Sequence, residues 1–180
     1  PIVAALQAVF LGDWYSTTNR LLRGSVYLPV PEVCGETVAQ LLPSGPVFKY
    51  ENYQRAVLST LYNADREVTI VTPYFVPDDA FLYAVEVAVM QGVTVNLILP
   101  KHSDQKLVHA AARSYLSYML NAGCNVYLHD DGLLHAKIML VDGVVGFIGS
   151  SNFDIRSFAI NFEVTLVVYD ATFIEAVQKT

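Results

Sequence analysis

The order of apolar and polar positions after Val47 predicts an alternation of helices and strands. Tyr53, Val57 and Leu61 recur on one face of a 3.6-residue period, which indicates an amphipathic helix. Strand segments here are instead rich in β-branched residues. Asp78 and Ser103 suit helix N-termini, because their side chains accept from exposed backbone N–H groups. The predicted helices are Asn52–Tyr62, Asp78–Gln91 and Asp104–Ala122, and the strands between them are Glu67–Pro73 and Val93–Leu99.

The later part of the chain predicts shorter strands with a hairpin among them. The expected strands are Asn125–His129, Leu134–Val141, Val144–Gly149 and Phe162–Tyr169, with a short helix at Phe153–Ser157. Asp142-Gly143 between two apolar runs is typical of a two-residue hairpin turn. Strands connected through helices run parallel, whereas hairpin strands run antiparallel. We therefore predict an α/β fold with a mixed β-sheet flanked by helices on both faces.

The first 46 residues differ in character from the rest of the chain. Ile2–Leu11 and Asp13–Leu22 are expected to be helical, with Trp14 and Tyr15 packed inward. The segment Leu28–Pro46 is rich in proline and glycine, which predicts an irregular linker on the surface. We therefore divide the chain into residues 1–46 and a domain at residues 47–180. The chain begins with Pro rather than Met, and we expect it to be a piece of something longer.

Composition narrows the classes of protein that this chain could be. It has 180 residues, of which 53% are hydrophobic and 16% charged, so it carries too much apolar surface for a disordered protein. Its formal net charge of −6 argues against unaided binding to duplex DNA, which depends on cationic side chains. Cys34 and Cys124 lie far apart, which excludes a disulfide framework and a cysteine zinc site. Its apolar runs are far shorter than the roughly 20 residues that cross a bilayer.

Candidate chemistry concentrates between His135 and Glu163. His135 and Lys137 are two apart on a predicted strand, so their side chains leave the same face. A lysine there suits a bound anion better than a packed core. Downstream, Gly149-Ser150-Ser151-Asn152 ends a strand and brings hydroxyl, amide and backbone N–H donors to a helix start. An imidazole, a cation and neutral donors suit a phosphoryl centre, and we expect no metal because no dense ligand cluster appears.

These residues resemble a known family. Six residues match the HxKx4Dx6GSxN signature of the phospholipase D superfamily, and every gap between them has the right length. They are His135, Lys137, Asp142, Gly149, Ser150 and Asn152. The flanking segments Thr72–Asp78 and Ser151–Glu163 are similar to bacterial cardiolipin synthases, and the likeness covers most of residues 47–170. Gly12-Asp13-Trp14-Tyr15 looks like the end of that family's first half. The resemblance thus implies a phospholipase D-like domain, the C-terminal half of such a synthase.

The resemblance also implies an activity and its partners. The family joins two phosphatidylglycerols into cardiolipin and releases glycerol, through a phosphohistidine and without a metal or other cofactor. Complete members carry two HKD motifs in one active site, and this chain holds one. The implied partners are phosphatidylglycerol and cardiolipin, the membrane surface of a bacterial cell, and either the missing N-terminal HKD half or a second copy of the chain. No nucleic acid is expected.

The motif assigns expected roles by position. His135 resembles the second-motif histidine, a general acid/base for the nucleophile of the other half. Lys137 and Asn152 would hold phosphate oxygens, with Ser150 assisting. Glu163 matches the acid that orients the histidine. Asp142 is the aspartate of the HKD motif and is therefore counted among the predicted catalytic residues, although its place in an Asp-Gly turn favours a structural role.

Three other functions stay open at this point. A phospholipase D-type hydrolase would differ only in using water as the acceptor. A nuclease with a single HKD motif would complete its site by dimerising, although the negative charge counts against it. A non-catalytic half that only binds phospholipid is the third.

Overall fold

The computed structural model describes residues 2–28, 30–32, 34–102 and 106–179, with backbone alone for residues 106–113. Its helices are α1 (Ile2–Thr18), α2 (Asn52–Tyr62), α3 (Asp79–Met90), α4 (Lys106–Asn121), α5 (Ile155–Ala159) and α6 (Ala171–Gln178). Its strands are β1 (Val38–Ser44), β2 (Glu67–Val71), β3 (Phe75–Val76), β4 (Thr94–Pro100), β5 (Asn125–His129), β6 (Ile138–Val141), β7 (Val145–Gly149), β8 (Phe153–Asp154) and β9 (Glu163–Tyr169). The predicted cap Ser103 and the first two residues of its helix, Asp104 and Gln105, lie outside the described residues.

The main sheet is mixed, as predicted. Its seven described strands lie in the order β1-β9-β7-β6-β2-β4-β5. β2, β4 and β5 are parallel, whereas β6, β7, β9 and β1 form an antiparallel half. β2 joins the two halves, because it pairs parallel with β4 and antiparallel with β6. The α/β class with helices flanking a mixed sheet is confirmed.

A cluster of aromatic rings packs next to the segments that carry the candidate site. Tyr53 of α2 and Phe81 of α3 both contact Phe153 and Phe158, with ring centroids 5.7–6.1 Å apart. Phe75 and Phe153, each fully buried, are partners in a separate two-stranded parallel ladder between β3 and β8. This ladder fixes the segment after β2 beside the segment after β7.

The prediction of an irregular linker was wrong for residues 38–44. They form β1, an edge strand antiparallel to β9, with Val38 opposite Tyr169 and Ser44 opposite Glu163. Pro43 is tolerated because an edge strand has one side without ladder partners, where a missing N–H leaves nothing unpaired. The division of the chain near residue 46 stays a prediction.

The N-terminal segment also differs from expectation. α1 is one continuous helix rather than two, and it has no buried residue among those described. Trp14 and Tyr15 are 38% and 48% exposed, not packed inward. The element that α1 contacts most among the described residues is β1, the edge strand of the sheet. None of the described helices has both the length and the apolar character needed to cross a bilayer.

Candidate active site

His135 and Lys137 lie directly before β6, which is shorter than the predicted strand and begins at Ile138. The pairing with β7 nevertheless continues one residue further, because the carbonyl of Lys137 accepts from the Gly149 N–H at 3.3 Å. Lys137 Nζ lies 3.0 Å from His135 Nδ1 and 2.9 Å from the His135 carbonyl oxygen. Because an ammonium only donates, Nδ1 accepts, and the neutral ring carries its proton on Nε2.

The charge of Lys137 is set by two opposing influences. Partial burial lowers the pKa of its ammonium below the usual value, and the negative charges of Glu163 and Asp154 partly oppose that shift. Lys137 is therefore a cation within electrostatic reach of Glu163, in a place where losing water costs it free energy. An anionic ligand would supply the missing compensation.

Tyr74 adds a contact to His135 that the sequence did not predict. It follows β2, and its ring lies edge-on to the imidazole at 6.1 Å between centroids and an interplanar angle of 88°. Its position depends on Thr72, whose hydroxyl donates to the Tyr74 carbonyl at 2.9 Å and accepts from the Phe153 N–H at 3.4 Å. The imidazole is thus supported on one side by an aromatic edge, although His135 itself is exposed.

Glu163 opens β9 and is only 9% exposed. One carboxylate oxygen accepts from the Ser150 hydroxyl, and the other accepts from Ser157 Oγ and Asn161 Nδ2, each at 3.1 Å. A buried carboxylate needs such donors, because an unpaired charge away from water is costly. Among the described residues, no hydrogen bond joins Glu163 to His135.

The Ser150 hydroxyl is shared between two groups of β9. It donates to Glu163 and accepts from the Val164 N–H at 3.1 Å. Ser150, predicted as a phosphate ligand, is therefore positioned by the same strand that carries the carboxylate.

Asn152 is placed by the turn that leads into α5. Its backbone N–H donates to Ser157 Oγ at 3.1 Å, and Asp154 caps the helix by accepting from the Ser157 N–H at 2.7 Å. Asn152 Oδ1 is buried and has no hydrogen-bond partner among the described residues. Since buried polar atoms are normally paired, this amide oxygen can still accept a hydrogen bond from a donor group of a ligand.

Asp142 lies at the other end of β6 and is not brought together with the other predicted residues. Its carboxylate accepts from the backbone N–H groups of Asp65, Arg66 and Glu67 at 2.8–2.9 Å. Partial burial acts to raise the pKa of Asp142, but these three donors outweigh it and hold the pKa below the usual value. Asp142 therefore ties the β6–β7 hairpin to the start of β2.

Two supporting residues, Ser157 and Asn161, were missed from the sequence. They are the uncharged polar residues between Asp154 and Glu163, which is the signal that could have singled them out. Together with Ser150 they fix a carboxylate within electrostatic reach of Lys137, whose ammonium contacts the imidazole of His135. Such an arrangement can hold an anion and transfer a proton to or from it.

Solved structures of other proteins show which fold this chain has. Nuc from Salmonella typhimurium, a phospholipase D family member, superimposes with a TM-score of 0.68 at 21% identity, covering 80% of this chain and 91% of Nuc. Phosphatidylserine synthase from Haemophilus influenzae superimposes with a TM-score of 0.64 at 17% identity, covering 78% of this chain and 37% of that protein. At these identities the likeness shows the fold alone, which is the phospholipase D fold.

Related sequences identify the family within that class. The family model described as cardiolipin synthase, PLD-like domain, matches residues 57–180. The cardiolipin synthase of Geobacillus thermodenitrificans is 40% identical over 169 residues, which cover 93% of this chain and 34% of that protein. Cardiolipin synthase A of Serratia proteamaculans is 38% identical over 177 residues, covering 96% and 36%.

The chain belongs to the cardiolipin synthase family of PLD-like domains, and the resemblance predicted from the motif is confirmed. It spans about a third of the length of the curated relatives it matches.

Proposed function

We propose that the protein containing this chain joins two phosphatidylglycerols into cardiolipin and glycerol by transphosphatidylation. The observation that carries the proposal is the contact between Lys137 Nζ and His135 Nδ1 at 3.0 Å, within electrostatic reach of the buried carboxylate of Glu163. A cation that steadies the neutral ring through Nδ1 leaves Nε2 directed away from it, where Nε2 can exchange a proton with the substrate. Membership of the family supports the choice of lipid.

In the proposed reaction a histidine from a second HKD motif attacks the phosphorus of one phosphatidylglycerol. A phosphorus–nitrogen bond forms, the bond to the headgroup glycerol breaks, and His135, acting as an imidazolium, gives its Nε2 proton to the departing alkoxide and becomes a neutral ring. His135 then takes the proton from a headgroup hydroxyl of the second phosphatidylglycerol. That oxygen attacks the phosphohistidine, which releases cardiolipin and restores both histidines.

The other residues of the site would stabilise the charge on phosphorus. Lys137 and Asn152 are proposed to hold the phosphate oxygens, Lys137 through its ammonium and Asn152 by donating from its side-chain Nδ2. Ser150 would assist while keeping Glu163 in place. The carboxylate would in turn favour the protonated form of a nearby imidazole.

The proposal requires a second motif and a lipid surface. One motif supplies one of the two histidines, so the other comes from an N-terminal HKD half or from a second copy of the chain. Because both substrates are membrane lipids, we propose that the protein works at the surface of a bacterial cell membrane.

The test is His135→Ala in the full reading frame that contains this chain, assayed with labelled phosphatidylglycerol vesicles. Cardiolipin should fall to background, because no group remains to protonate the departing glycerol. The control is His102→Ala, because His102 has a side chain that is 80% exposed and faces Asp130 rather than the site. Normal cardiolipin formation by the His135 variant would contradict the proposal, and phosphatidic acid as the main wild-type product would indicate a hydrolase instead.

A further inference from the structure

A groove of about 390 Å³ runs between α1 and the turn that comes after β1. Val9 and Gly12 of α1 form one side of it. Val47, Phe48 and Phe162 form the opposite side, and all three are exposed apolar residues, at 73%, 39% and 61%. Its size lies in the range of small-molecule sites, which are apolar with a few placed polar groups.

The floor of the groove is polar and continuous with the candidate active site. Ser44 and Glu163, which are directly opposite each other in the β1–β9 ladder, both line it and are 2% and 9% exposed. Ser44 Oγ is buried and has no hydrogen-bond partner among the described residues. A buried hydroxyl without a partner is uncommon and points to a ligand oxygen.

Gly45 keeps the rim of the groove in place. A Cβ on Gly45 would lie 2.9 Å from Phe162 Cδ1, which is closer than real contacts allow, and 3.2 Å from Phe162 Cα, which is tighter than most. Its φ of 150° is also a conformation that other residues rarely adopt. The glycine therefore allows the ring of Phe162 to lie on the turn and form a wall.

Positive charge lies just beyond Phe48. Lys49 Nζ is 5.0 Å and Arg55 Cζ 4.5 Å from the centroid of the Tyr50 ring, which is itself 47% exposed. Arg55 is also paired with Glu51 at 3.6 Å, and Asp13 and Glu163 line the groove. The lysine on an exposed aromatic suits the anionic headgroup of an amphiphile, whereas the two carboxylates suit an uncharged group inside the groove.

We propose that this groove binds an acyl chain of the phospholipid, with an ester or glycerol oxygen of that lipid accepting from Ser44 Oγ. The chain would lie between Gly12 and Phe162, and the phosphodiester would then reach the site across Glu163. This inference rests on the proposed function, because it assigns a subsite to the same lipid substrate.

The test compares two ligands on this chain. Dihexanoyl phosphatidylglycerol, kept below its micelle concentration, should bind at least about tenfold more tightly than deacylated glycerophosphoglycerol, since burying two methylenes corresponds to that factor. Titration calorimetry measures both affinities. Equal affinities, or no binding of either ligand, would overturn the proposal.

Gly12→Phe is the matched variant. A Cβ at Gly12 meets nothing within 4 Å, so the ring can enter the groove without moving the backbone, and phenylalanine suits a helix better than glycine does. The variant should bind the acylated lipid as weakly as the deacylated one. Leu6→Phe adds the same ring to α1 at a position 44% exposed and outside the groove, and should leave both affinities unchanged.

A measurement on the wild-type chain covers the case in which the variant fails to fold. Nuclear Overhauser effects should link the hexanoyl methylenes to the Phe162 ring, and their absence would refute the proposal. Cardiolipin formation by the full reading frame with equal ligand affinities would show that the groove alone is wrong. Tight acyl-dependent binding without cardiolipin formation would show that the proposed function alone is wrong.

Discussion

Asp142→Asn separates a structural role of the motif aspartate from a catalytic one. The carboxylate accepts three backbone hydrogen bonds at 2.8–2.9 Å, two on Oδ1 from Arg66 and Glu67 and one on Oδ2 from Asp65. Asparagine keeps one oxygen for the first pair but turns an NH2 toward the Asp65 N–H. The backbone φ of Asp142 is 55°, a positive value that asparagine also adopts. The substitution therefore tests the loss of the negative charge and does not change the backbone conformation.

The expected loss is the sum over these bonds. A hydrogen bond to a charged group contributes about 1.5–3 kcal/mol and a neutral one about 1 kcal/mol, so losing one and weakening two amounts to roughly 3 kcal/mol at the lower end of these ranges. Partial exposure of the carboxylate reduces this to about 2 kcal/mol. For a chain of this size that corresponds to a fall in Tm of about 4–8 °C.

Thermal denaturation followed by circular dichroism measures the difference, with the exposed Asp131→Asn as control, expected to stay within about 0.5 kcal/mol. Because the folded-state pKa of Asp142 is lowered, its contribution is complete above the usual value of 3.8 and disappears as the pH falls through the lower folded-state pKa. Wild type and variant should therefore converge in acid. An unchanged Tm at neutral pH, or lost phosphate affinity at unchanged Tm, would refute the structural role.

Three further outcomes are expected. Gly149→Ala should lower the free energy of unfolding, measured in urea, by about 3 kcal/mol, because the added Cβ would lie 2.3 Å from a carbonyl oxygen of β9. The control is Gly35→Ala, whose added Cβ has no atom within 4 Å, and this variant should unfold like the wild type. The affinity of the chain for phosphate should decline as the pH rises, and the decline should begin below pH 10.5. The reason is that burial lowers the pKa of Lys137 and a neutral amine binds anions poorly. An affinity that stays constant up to pH 10.5 would be contrary. Ser157→Ala should lower the free energy of unfolding in urea by about 1.5–3 kcal/mol, since the buried carboxylate of Glu163 loses one donor, and an unchanged free energy of unfolding would be contrary.

Patterns among residues that are close in sequence were enough to predict most of the elements in the part of the chain where helices and parallel strands alternate. The helix Asn52–Tyr62 was predicted with its ends, because Tyr53, Val57 and Leu61 face the core and their spacing matches the helical period. The Asp-Gly turn likewise predicted the β6–β7 hairpin, and with it the place of Asp142. In these cases the residues that decide the conformation are neighbours in sequence.

Features that depend on distant partners could not be predicted in this way. β1 contains Pro43 and comes after a glycine, so only its pairing with β9 makes it a strand. The donors to Glu163 come from three separate positions, Ser150, Ser157 and Asn161, which the turn after β7 and the helix α5 bring together. The motif spacing located the candidate site, whereas the hydrogen bonds that hold its carboxylate required the fold.

The edge position of β1 has a practical consequence for anyone who shortens this protein. A truncation that starts at Val47, where the chain's character changes, would remove the strand that covers β9 and leave seven residues of β-sheet edge open to other molecules. Unprotected edges of this kind pair with neighbouring copies and promote aggregation. Soluble expression of the shortened chain should therefore be poor, and a starting point before Val38 should recover it.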